Sequence, residues 1–181
     1  MIRKLLPAVL AGSVLLFAAC GGDDDAGSTS QSTAGNGTDR AFVKAMIPHH
    51  ESAIEMAQVA QERGESAFVK QLAEDIIRTQ EAEIAELKRE DEGLENAGVD
   101  VGSLDMGDDM MGMDADMSKL EAADPFDPEF LNMMIPHHES AVEMAKVELD
   151  KGKDPELRKI AQEIIDAQER EISEMREQLA S

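Results

Sequence analysis

An all-α fold, a four-helix bundle made of two duplicated helical hairpins, is what this sequence of 181 residues predicts. Three observations predict it. Residues 46–87 align with residues 134–175 at a constant offset of 88, without a gap, and 21 of the 42 aligned positions are identical; self-similarity of that kind marks an internal duplication. Within each copy, apolar residues recur with the spacing of a helix face. Each copy is also divided near its middle by a glycine and by residues that start helices.

From the N-terminus, residues 1–19 read as an export signal: Arg3 and Lys4 lead an apolar run that ends at Ala19, too short to cross a bilayer comfortably. The closing "FAAC" resembles a bacterial lipobox, whose cysteine is acylated, and makes Cys20, the single cysteine of the chain, the expected lipid attachment point. Ordinary cleavage after Ala19, leaving a free thiol, is the alternative; one cysteine forms no intramolecular disulfide. Residues 20–38, rich in Gly, Ser, Thr and Asp, read as a flexible tether. A bundle domain over 39–181 follows, with one hairpin at 39–90, a Met- and Asp-rich connection at 91–126 and a second hairpin at 127–181.

Helices are expected near 40–63, 67–90, 128–151 and 155–180. Asp127 and Pro128 are residue types of an N-cap and a first helical position, Lys151 and Gly152 those of a basic last turn and its terminating glycine, and Asp154 and Pro155 open the fourth helix. Asp39, Gly64 and Ser66 stand at the corresponding places of the first copy. Pro48 and Pro136 leave two options, an interior proline that kinks its helix or a helix that starts late, after a loose turn.

At about 100° per residue, Phe42, Val43, Met46, His49, His50, Ala53, Ile54, Met56, Ala57 and Ala60 share one inward arc, while Glu51 and Glu55 point away. Phe130, Met134, His137, His138, Ala141, Val142, Met144 and Ala145 share the matching arc of the second copy. All four histidines of the chain lie in the two "MIPHHES" segments, so imidazole and thioether groups face the same core. On the partner helices Gln80, Glu83, Gln168 and Glu171 fall within stripes of Leu and Ile. A buried carboxylate is costly unless paired, and an inward histidine is the obvious partner.

The formal charge of -22 argues against nucleic acid or an anionic membrane surface as partner. A carboxylate-bridged di-iron or di-manganese oxidase needs Glu-x-x-His on two helices, and the sequence has none. Zinc hydrolysis lacks its His-Glu-x-x-His, and no nucleophile stands beside a histidine, so the chain is not expected to be an enzyme. Neutral imidazole and thioether suit soft or borderline metals, so the duplicated layer that holds every histidine points to metal ligation, with Gln80, Glu83, Gln168 and Glu171 behind it. In "DMGDDMMGMDADM", Met106, Met110, Met111, Met113 and Met117 are expected to be exposed, with no core to fill, and to form an accessory Cu(I) site. An accidental low-complexity linker is the competing account, and regular calcium-loop spacing is missing. A metal-free alternative also stands: a helical module of the cell envelope whose buried histidines serve structure or pH sensing.

The segments "MIPHHESAIEMA" and "MIPHHESAVEMA", followed by "IIRTQEAEI" and "IIDAQEREI", resemble the bacterial domain-of-unknown-function family 305. The resemblance covers about residues 40–180. It implies a ferritin-like four-helix fold and, because some periplasmic members bind copper, a metal region at Met46, His49, His50 and Met56 and at their counterparts Met134, His137, His138 and Met144. The combined expectation is a lipid-anchored protein outside the cytoplasm, periplasmic or on the cell surface, that binds copper for buffering, delivery or resistance.

Overall fold

The computed structural model describes residues 35–107 and 116–181. The signal segment, Cys20, the tether up to residue 34, and Met110, Met111 and Met113 lie outside the described residues. The helices are α1 (Gly37–Arg63), α2 (Ala67–Asn96), the short α3 (Met117–Ala122), α4 (Phe126–Lys151) and α5 (Pro155–Leu179). α1 pairs with α2 and α4 with α5; α1 and α4 also lie against each other, whereas α2 and α5 touch only sparsely. The duplicated four-helix bundle expected from the repeat is the fold observed, and every residue assigned to the two inward arcs is buried.

Both inner helices run through their prolines, Pro48 and Pro136, without a break, which excludes a late start. Each proline is exposed, as are Lys44 and Asn132 four residues earlier. The carbonyls that lose an N–H partner therefore lie on the wet side of the helix, where water can take the bond.

The helix starts differ from expectation in an instructive way. Asn36, not Asp39, caps α1, and Asp39 closes the capping box from the third helical position. α4 begins at Phe126, and Pro125 stands at its N-cap without a side-chain bond, so Asp127 does not cap it. Asp127 instead accepts the backbone N–H groups of Glu65 and Ser66, each at 2.8 Å, in the α1–α2 turn. Its counterpart in the repeat, Asp39, accepts those of Lys153 and Asp154 at 2.9 and 2.8 Å in the α4–α5 turn. Each inner helix thus closes the turn of the other hairpin, placing a carboxylate where unpaired N–H groups and the positive helix terminus favour one.

The segment expected as a connection at 91–126 is largely built into the domain. α2 continues to Asn96, where Asp91 meets Arg40 at 3.1 Å and Lys44 at 2.7 Å and Leu94 is buried. The following stretch returns to the start of α1, with Gly102 N–H donating to Gly37 O at 2.8 Å. A Cβ at Gly102 would fall 2.7 Å from the Gly37 carbonyl carbon, so the approach requires glycine. Arg63 donates to the carbonyls of Leu120, Glu121 and Ala123 at the end of α3 and lies over the Phe126 ring. Met106 and Met117, expected to be exposed, are partly buried against the core beside buried Leu104 and Leu120; they fill its edge.

Candidate metal centre

The two histidine pairs meet where α1 crosses α4. His49 and His137 face each other across the helix pair with ring centroids 3.8 Å apart, and His50 and His138 stand outside them, 6.2 and 6.4 Å from their sequence neighbours. His49, His50 and His138 are fully buried, and His137 is 4% exposed. Met46, Met56, Met134 and Met144 are fully buried in the same core. The four sequence-predicted histidines are thus brought to one interior layer, and the four methionines are buried in the same core along the two helices.

Burial and the neighbouring rings make protonation unfavourable. Desolvation, followed by the charges of His138 and His50, lowers the His137 pKa to about 3; desolvation and the same kind of crowding, led by His137, push His49 down further. These two rings are neutral at physiological pH, the state in which imidazole donates a lone pair.

Their partners decide which nitrogen holds that lone pair. Ser140 Oγ donates its hydrogen to His137 O at 2.7 Å. It therefore accepts from His49 Nε2–H, also at 2.7 Å, which leaves His49 Nδ1 bare. Glu171 accepts from His138 Nε2 at 2.8 Å, and His138 Nδ1 is bare in the same way. Glu83 approaches His50 Nε2 at 2.8 Å without the alignment of a good hydrogen bond. The Nδ1 atoms of His49, His50 and His138 and both nitrogens of His137 are buried without a hydrogen-bond partner. A carboxylate behind an imidazole is the arrangement that orients a metal-binding histidine and raises its basicity.

Gln80 and Gln168 are each 2% exposed, and both Gln168 amide atoms and Gln80 Oε1 lack partners. They lie in the core as expected, without a hydrogen bond to any of the rings.

One buried acid escaped the sequence reading. Glu148 is fully buried, and neither carboxyl oxygen has a well-formed hydrogen bond. It is folded against Gly152, where a Cβ would sit 2.0 Å from its Oε1. Burial, then the close approach and charge of the Asp39 carboxyl and the charge of Asp154, raise its pKa to about 9 against the opposing Arg158. The signal was present: Glu148 aligns with Ala60, which lies on the inward arc.

The paired layer and its duplicated scaffold match the family described as "Domain of unknown function (DUF305)" twice, over residues 23–91 and 92–179. The chain belongs to the DUF305 family. Among solved structures, this DUF305 chain is similar to CopM in its Cu(II)-bound form, with 36% identity and a TM-score of 0.68 over 78% of this chain and 95% of CopM. For the Cu(I)-bound form the values are 37% and 0.63, over 77% and 93%. CopM has also been solved bound to silver and in the apo form. A DUF305 protein of Streptomyces coelicolor, described as a candidate secreted protein, is 29% identical with a TM-score of 0.68 over 79% of this chain and 92% of that one. The uncharacterized protein L153 of Acanthamoeba polyphaga mimivirus is 45% identical over 49 residues, which is 27% of this chain and 32% of the viral protein; the match spans about a third of that relative.

Proposed function

We propose that this DUF305 chain is an extracytoplasmic, lipid-anchored protein that binds copper in its core layer, for buffering, delivery or resistance rather than for catalysis. The observation that carries this reading is the set of buried ring nitrogens left without partners. Each buried unsatisfied polar atom costs roughly 1–3 kcal/mol, a penalty that an apolar layer avoids and that a bound metal removes. Among the described residues no three His, Cys, Asp or Glu side chains converge as a ready metal site. Imidazole alone therefore does not close the coordination, and the buried thioethers of Met46, Met56, Met134 and Met144 are the donors at hand. A mixed nitrogen and thioether set favours Cu(I) over hard cations, and the copper- and silver-bound forms of CopM support the same choice.

Behind the ligands, Glu83 and Glu171 hold the outer rings, and Gln80 and Gln168 complete the polar layer. Met106, Met110, Met111, Met113 and Met117 form an accessory capture site in this reading, although two of them also serve the core. Cys20 carries the lipid that holds the domain at the membrane. The secreted description of the Streptomyces relative supports a location outside the cytoplasm.

A metal-free module has one observation in its favour: His49 and His138 already have good partners in Ser140 and Glu171. Elemental analysis of mature protein purified without chelator, followed by Cu(I) competition titration, separates the two. The copper reading expects at least about one tightly held copper per chain, with affinity reduced about 100-fold or more by His49→Ala with His137→Ala. Equal affinity in the double variant contradicts it. Cys20→Ser is expected to release the protein from the membrane fraction or to leave unprocessed precursor; unchanged mature, membrane-bound protein contradicts the anchor.

A further inference from the structure

We propose that copper reaches the core through the cleft between α2 and α5, with Glu171 as the positioning residue that receives the cation and passes it to His138. The inference rests on the copper reading of the core and adds a route to it. The proposed ligands are sealed in: seven of the eight are fully buried and the eighth, His137, is 4% exposed. A metal ion must therefore enter where a side chain connects the imidazole layer to solvent.

Glu83, 15% exposed and 2.8 Å from His50 Nε2, makes that connection in the first copy, and Glu171 makes it in the second, where it opens on a cleft. Its side chain is 12% exposed, its Oε2 takes the bond from fully buried His138, and it lines a cleft of about 360 Å³. The cleft exists because the outer helices touch so sparsely, and its walls are Phe68 and Leu72 from α2 with Arg170 and Glu174 from α5. Its charges favour a cation. Arg78 is held by Asp75 at 2.6 Å, so Glu171 and Glu174 face Arg170 alone. Over the whole chain the formal charge of -22 raises the local concentration of cations at such an opening.

The bonding at His138 also suits a transfer. If Glu171 turns toward a cation in the cleft, its bond to His138 Nε2–H breaks and the ring loses its fixed orientation. No proton has to leave the imidazole, because Nδ1 is already bare. The carboxylate can then return to Nε2–H and hold the ring in its ligating state.

The test is the rate of Cu(I) uptake by the metal-free mature protein from the coloured Cu(I)–bicinchoninate complex, set beside equilibrium affinity for the same probe. Glu171→Gln keeps an oxygen acceptor for His138 and removes the charge; Thr79→Trp fills the cleft wall without touching a ligand. Both are expected to slow uptake about ten-fold or more; equilibrium affinity is expected to stay within about two-fold of wild type in Thr79→Trp and to fall in Glu171→Gln, whose carboxylate also orients His138. The repeat supplies the control at the position equivalent to Thr79, Ala167→Trp, which is expected to leave the rate within about two-fold of wild type. Wild-type rates in both cleft variants overturn the route. A fall in affinity in Glu171→Gln with uptake at the wild-type rate also overturns it, since Glu171 then only holds the His138 ring and admits no cation. Absence of tight Cu(I) binding in wild type defeats the copper reading itself, a different result from unchanged rates.

Discussion

His49 in the first hairpin and His137 in the second occupy equivalent places in their motifs, yet His49 Nε2 bonds Ser140 across the helix pair while His137 Nε2 has no partner. The same inequality recurs outward from the centre: His138 forms an aligned bond to Glu171, whereas His50 meets Glu83 without alignment. At the next inward position toward the turn, the first hairpin has Ala60 and the second has buried Glu148. Duplication fixed the donor types and their backbone placement; the neighbours each copy acquired set hydrogen bonding and protonation. The two histidine pairs are therefore equal in candidate donors and unequal in surroundings, and single-copy substitutions are the way to separate those contributions.

The reciprocal clamps give the largest expected contrast. Asp39 is fully buried and takes N–H groups from Asn36, Lys153 and Asp154; Asp127 takes two, from Glu65 and Ser66, and is only half-buried. Asp39→Ala is expected to cost about 2–4 kcal/mol in urea unfolding and Asp127→Ala about 1 kcal/mol. Equal losses would show that burial of the Asp39 cluster does not matter.

The pH dependence above neutrality comes next and belongs to Glu148 of the second hairpin; below it, buried His49 and His137, held neutral, add an opposing loss of stability as the pH falls. Glu148 ionises near pH 4.5 when unfolded and near 9 when folded. Across that window the folded chain holds a proton the unfolded chain has lost, so its contribution to stability is complete below the lower value and declines as pH rises through the upper one. Thermal unfolding of metal-free protein is expected to move down by on the order of 5–10 °C between pH 7 and pH 9, where the histidines are neutral in both states, and Glu148→Gln is expected to remove most of that slope. A slope unchanged by the substitution places the titrating group elsewhere.

The serines give the smallest effect. Ser140→Ala leaves His49 Nε2–H without its acceptor and is expected to cost about 1 kcal/mol in chemical denaturation, whereas Ser52→Ala, at the equivalent position, is expected to change stability by less than about 0.5 kcal/mol. Identical values would mean the His49–Ser140 bond contributes nothing net.

Particular residues show why some of this was legible in the sequence. Helical periodicity is a local property, so the inward arcs carrying Met46, His49 and His50 and their copies could be placed from spacing alone. The pairing of Glu83 with His50 and Glu171 with His138 followed from the cost of burying a carboxylate. Tertiary satisfaction was harder. Asp127 has the chemistry of an N-cap, but its carboxylate is used by a turn 62 residues away in the chain, which spacing within one helix does not reveal. Met106 and Met117 sit in a stretch whose composition suggests solvent; Met106 follows the return of the chain to Gly37, and Met117 lies in α3, which packs against α1 and α4. Glu148 was hidden because a charged residue on an inward arc is usually assigned to solvent.

Calorimetric unfolding of metal-free and copper-saturated protein, for wild type and for His49→Ala with His137→Ala, tests the central claim most directly. A ligand held only by the folded state adds stability that grows with its concentration, about 2.7 kcal/mol at a hundred times its dissociation constant. Wild type is expected to show this rise with Cu(I), and the double variant is expected to unfold at nearly the same temperature with and without the metal. If copper stabilises both proteins equally, the histidine layer does not hold it, and the buried nitrogens belong to the bundle's own packing.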